Sequence, residues 1–150
     1  MIYNSEAKIY RYDDVLPRAA IYHRAELAQS ETEALRKLAD PSRDVCQSVV
    51  LNESDLPPEQ RARVSDINRQ APAQVEAAAI RSYRSQDVEI EASLERAGIL
   101  VLNDTAYPGW TVDVDGRSSS WIGANYLFRG VLLSPGKHVV RFRYQPASFR

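Results

Sequence analysis

Cysteine is almost absent from this chain: Cys46 stands alone, so no disulfide can form within it. Histidine is nearly as scarce. His23 and His138 are the two present, with no HxxxH or HExxH spacing to suggest a zinc site. Long hydrophobic runs are missing as well. The longest, "AGILVL" at 97–102, is far below the roughly 20 residues that cross a bilayer as a helix. The opening "MIYNSEAKIY" turns polar at its third residue and does not read as a signal peptide. Charge of one sign is lacking too. A formal net charge of −1 gives no electrostatic footprint for nucleic acid or an anionic membrane surface. There is no P-loop, GxGxxG or GxSxG, so no cofactor and no catalytic constellation is expected.

What is present is the composition of an ordinary globular domain, 44% hydrophobic and 26% charged over 150 residues, which suits one domain. Of its 19 cations only Lys8, Lys37 and Lys137 are lysines, and the arginines are scattered evenly. "AKIYRYDDVLPRAAIYHRAEL" predicts two short strands around a turn at "DDVLP". "SETEALRKLADP" predicts a helix. Ser30 caps it with Glu33 as the capping-box partner, Leu35 and Leu38 form its apolar stripe, and Asp40-Pro41 stops it. "CQSVVL" at 46–51 predicts a further strand. Residues 52–72 hold three prolines and no clean period, and read as a polar surface connection between an N-terminal portion, 1–51, and a β-rich portion, 74–146.

In that last portion the period is two. Val88, Ile90, Ala92 and Leu94 share one strand face; Trp110, Val112 and Val114 share another; Val140, Phe142 and Tyr144 a third. "ILVL" at 99–102 is apolar throughout, as a central strand covered on both faces would be. "DG" at 115–116 and "SPGK" at 134–137 supply turn chemistry, read as hairpins. The expected fold is mainly β in the α+β class. An antiparallel, jelly-roll-like β-sandwich forms the C-terminal half, and an N-terminal strand–helix–strand portion packs on it.

Asp113 and Asp115 share a strand parity and could hold a cation, but no further oxygen ligands follow at fixed offsets, so turn and solvated face is the reading. The triplets "NES" (52–54) and "NDT" (103–105) match a glycosylation acceptor only on a eukaryotic secretory path. The aromatics are more suggestive. Tyr107, Trp110, Trp121, Tyr126 and Phe128 crowd into about two dozen residues, among Asn103, Asp104, Asn125 and Arg129. Rings beside amides, carboxylates and guanidinium groups could stack on a sugar, although large rings more often fill a core. Asp104, Tyr107, Trp121, Asn125 and Arg129 are the candidate ligand-binding residues, with Tyr107 and Trp121 the rings expected to face outward; no catalytic or metal residue is proposed.

"GILVLNDTAYPGWTVDVDGRSSSWIGANYLFRGVLLSPGKHVVRFRYQP" (98–146) resembles the C-terminal extracytoplasmic region of YfhO-type bacterial membrane proteins. The matching blocks are Leu100–Asp104, Tyr107–Trp110, Val114–Gly116, Ala124–Asn125, Arg129–Val131 and Pro135–Pro146, with "VLPRAAIY" at 15–22 upstream. The resemblance implies a multi-pass protein related to lipid-linked-sugar glycosyltransferases, acting on cell-envelope polymers. Its catalytic acid would lie in a loop outside these residues. This chain would then be a non-catalytic domain on the extracytoplasmic side, anchored by helices elsewhere, and "QPASFR" would sit just before another of them. Its partner would be a cell-envelope glycan or a lipid-linked sugar, with a free carbohydrate-binding module or a protein-docking domain as the alternatives.

Overall fold

The computed structural model describes residues 15–72 and 74–146. The expected strand at "AKIYRY" falls outside those residues. Twelve strands and two helices follow in the order β1 (Ala19–Tyr22), β2 (Ala25–Ala28), α1 (Glu31–Leu38), β3 (Val49–Asn52), α2 (Pro58–Asn68), β4 (Glu76–Ala77), β5 (Ala79–Arg84), β6 (Asp87–Leu94), β7 (Gly98–Thr105), β8 (Trp110–Val114), β9 (Arg117–Ser119), β10 (Ile122–Ala124), β11 (Phe128–Leu133) and β12 (Gly136–Tyr144).

They form two sheets. One has seven strands in the order β2-β3-β10-β11-β7-β1-β4; the other has five, β5-β6-β12-β8-β9. The protein is therefore an α+β fold built on a β-sandwich. Every pairing but one is antiparallel: β2 and β3, joined through α1, run parallel. The N-terminal strand–helix–strand portion thus enters the larger sheet edge-on, through β3 and β10.

The period-two pattern sorts side chains as the sequence suggests. Val88, Ile90, Ala92 and Leu94 point into the space between the sheets, with Trp110, Val112, Val140 and Phe142 from the same sheet facing Leu100, Leu102, Val131 and Leu133 from the other. Alternate residues of β7, Ile99 and Val101, enter a second core on the far side of the larger sheet, with Leu56, Val64 and Ile67. β7 is covered on both faces. Each such buried aliphatic side chain contributes about 1.5–3 kcal/mol of hydrophobic stabilisation.

α1 begins as expected, with the Ser30 hydroxyl accepting from Glu33 N at 3.2 Å. Glu33 reaches one residue further back than a standard capping box, accepting from Gln29 N at 2.9 Å. Half of the expected stripe packs: Leu38 lies against Ala28, Ala34 and Val50, whereas Leu35 is 47% exposed and Ala34 is the fully buried residue.

Residues 52–72 are not a plain connection. Pro58 opens α2 at the first helical position, where its missing N–H costs nothing. The helix buries only Val64 and Ile67, three apart, and so leaves no periodic trace among its polar residues. Asn68 clamps it to β2, accepting from Ala25 N at 2.8 Å and donating to Ala25 O at 2.9 Å.

Asp115 and Gly116, at φ 53° and 75°, make the two-residue turn from β8 to β9. "SPGK" is different. It carries the chain from β11 in one sheet to β12 in the other, so it is a crossover between layers and not a hairpin. Among the described residues no helix is long and apolar enough to cross a membrane.

Candidate functional site

At one end of the sandwich a cleft of about 240 Å³ opens between the sheets. Its walls come from the end of β5 and the turn after it (Tyr83, Arg84, Ser85), Val88 on β6, the end of β7 (Asp104, Thr105), and Tyr107, Trp110 and Arg129. Arg129 is the unusual member. It shares the parity of Val131 and Leu133 on β11, so alternation drives a guanidinium into the inter-sheet space, where it is 1% exposed.

The β7–β11 ladder explains how Asp104 reaches that arginine. Arg129 pairs with Leu102 but Phe128 pairs with Thr105, so Asn103 and Asp104 are extra residues in a bulge. Bulges re-aim side chains. Asn103 ties its side of the bulge down by donating from its backbone to Arg18 O (2.8 Å) and from Nδ2 to Pro17 O (2.8 Å). Asp104 is thereby held beside Arg129 Nη2 (3.8 Å) and Arg18 Nη1 (3.6 Å), and it accepts the Tyr83 hydroxyl at 2.9 Å.

Arg129 stacks over the Trp110 ring at 3.8 Å and lies 5.4 Å from Phe142, while its Nη1 donates to Thr105 O at 2.8 Å. Burial pulls its guanidinium below the usual arginine range, and the charge of Asp104 partly restores it. Burial also raises the Tyr83 hydroxyl, helped by its hydrogen bond to the Asp104 carboxylate. Tyr107, Trp110 and Tyr144 form a triangle of tilted and edge-on rings with centroids 5.2–5.9 Å apart. Tyr107 remains 43% exposed at the mouth.

Of the five residues singled out by sequence, Asp104, Tyr107 and Arg129 meet in this cleft. Trp121 and Asn125 do not line it. The Trp121 indole donates to Trp110 O at 2.8 Å, with its ring packed against the inter-sheet core. Asn125 extends the β10–β3 pairing: its N–H donates to Val50 O at 2.8 Å, and its Oδ1 accepts from Val50 N at 2.9 Å. The sequence reading missed Tyr83, Arg84 and Arg18. They come from strands and a lead-in segment remote along the chain, and only topology brings them here. A signal for Arg129 did exist, in its inward parity on "FRGVLL".

Elsewhere the titratable groups are engaged locally. Asp113 pairs with Arg143; Asp115 accepts from Val139 N and from the His138 ring. His23 is buried between Ala97 O and Glu76. Among the described residues no three His, Cys, Asp or Glu side chains cluster as a metal site would require.

The model of a bacterial membrane protein family, YfhO, matches residues 60–150, which include every residue lining the cleft. The chain belongs to the YfhO family. No curated protein and no solved structure matches it. Family membership ties this YfhO domain to a membrane protein, and the cleft residues Tyr83, Asp104, Tyr107, Trp110 and Arg129 all lie within the matched stretch.

Proposed function

We propose that this domain is the non-catalytic, extracytoplasmic part of a multi-pass membrane protein related to lipid-linked-sugar glycosyltransferases, and that it holds a cell-envelope glycan in the Tyr83–Arg129 cleft. The observation that carries the reading is the exposed Tyr107 ring at the mouth of a polar cleft, braced edge-on by Trp110 and Tyr144. A braced ring offers a sugar an apolar face at little entropic cost, and the adjacent Asp104 carboxylate and Tyr83 hydroxyl offer its hydroxyl groups partners. Family membership supports the membrane setting.

Titrating the 150-residue chain with glucose or N-acetylglucosamine, followed by amide NMR, tests it. Shifts centred on residues 83–85 and 104–110, half-complete at about 1 mM (about 4 kcal/mol of binding) and lost in Tyr107→Ala, are expected. Shifts that are absent, or unchanged in that variant, count against it.

A further inference from the structure

Two donor-only groups in the cleft lack partners. Arg129 Nε and Trp110 Nε1 are both buried with nothing to donate to, and both side chains line the same cavity. Neither group can accept a hydrogen bond, so neither can satisfy the other. A buried donor left unmade costs about 1–3 kcal/mol, so each of the two favours an acceptor brought to it. The guanidinium carbon lies 3.8 Å from the indole ring centroid, so the two donors belong to one packed pair at the cleft.

The charges point the same way. Arg18 and Arg129 flank Asp104, the one carboxylate lining the cleft, which also takes the Tyr83 hydroxyl, and Arg84 lines the same cleft. Among the described residues Arg84 has no ion-pair partner. Its register neighbour Asp87 is held by Arg141 through both carboxylate oxygens. The cleft therefore carries an excess of positive charge and an excess of donors.

We infer that the cleft recognises an oxyanion, a phosphate or carboxylate, borne on the saccharide. The inference rests on the glycan reading of this site and names the group that the arginines and the indole would receive. Phosphate and carboxylate share the chemistry used here: two anionic oxygens that can accept side by side from a guanidinium fork.

The test compares glucose, glucose 1-phosphate, glucuronate and inorganic phosphate as ligands of the 150-residue chain. Two indole N–H resonances report directly, because Trp121 already donates to Trp110 O while Trp110 has no acceptor. The expected result is binding of glucose 1-phosphate or glucuronate about tenfold tighter than glucose, a difference of about 1.4 kcal/mol. The Trp110 indole signal should move on binding, and the preference should vanish in Arg84→Ala, a surface change that spares the core. The stronger of the two anionic sugars identifies the oxyanion. Trp110→Phe, which keeps a ring and removes the donor, should weaken the preference as well. Equal affinity for glucose and both anionic sugars overturns the inference and leaves the glycan reading standing. Binding of inorganic phosphate without any gain from a sugar supports the oxyanion site and overturns the glycan reading. No binding by any of the four overturns both.

Discussion

The guanidinium of Arg129 lies 3.8 Å above the ring of Trp110, closing one end of the space between the two sheets. A charge in that position is desolvated, and the nearby Asp104 carboxylate only partly offsets the loss. Arg129→Met fills a similar volume without the charge, and Asp104 keeps Arg18 and the Tyr83 hydroxyl as partners. Stability within about 1 kcal/mol of the parent is expected in urea unfolding. Arg129→Ala opens a cavity and should cost about 3 kcal/mol. A methionine variant as damaged as the alanine variant would make the arginine a structural residue.

Gly109 and Gly116 both have positive φ but face different surroundings. A Cβ on Gly109 would sit 2.7 Å from Tyr144 Cε2, whereas one on Gly116 meets nothing within 4 Å. Gly116→Ala should therefore cost about 1 kcal/mol, the backbone penalty alone. Gly109→Ala should cost clearly more, with disturbed Tyr107 and Tyr144 ring signals. Equal melting temperatures for the two variants would contradict this.

Asn125 trades both a backbone and a side-chain hydrogen bond with Val50. Asn125→Ala leaves the Val50 amide unpaired in a buried place and puts a Cβ-only residue at φ 47°. A loss of about 2 kcal/mol and faster amide exchange at Val50 are expected. Saccharide binding should be unaffected, since Asn125 lies away from the cleft.

Acid should unfold the protein through paired carboxylates. The hydrogen bond from Arg141 holds Asp87 below its usual value, against a smaller opposing push from burial. Val139 N–H and the His138 ring do the same for Asp115. A folded carboxylate that resists protonation contributes stability above about pH 4, where the unfolded chain is also ionised, and loses it as pH falls through the folded value. The melting temperature should drop between pH 5 and 2.5. In Asp87→Asn that drop should be shallower, and an identical slope would remove Asp87 from the account.

Legibility followed the physics of each element. The inter-sheet core was readable because a half-buried strand writes its burial at period two, as in Val88, Ile90, Ala92 and Leu94. β7 was readable because residues covered on both faces are apolar without a break. α2 was hidden because a helix resting on Val64 and Ile67 needs only two apolar residues in eleven. "SPGK" misled because local turn chemistry does not say which sheet the next strand joins. The cleft was half visible: Asp104, Tyr107 and Arg129 are near in sequence, while Tyr83 and Arg84 arrive through the pairing of β5 with β6 and β6 with β12.

The position of β1 sets a limit on dissection. This four-residue strand lies against β7 along Ala19–Tyr22, opposite Leu102 to Ile99, and seals one flank of the most apolar strand in the molecule. A polypeptide trimmed to residues 60–150 would keep the residues lining the cleft but lose Arg18 and the Pro17 and Arg18 carbonyls that hold the bulge, and it would present that flank bare, an adhesive seam inviting a second copy to dock along it. The stretch that carries the family signature thus leaves out the strand that covers this flank of β7.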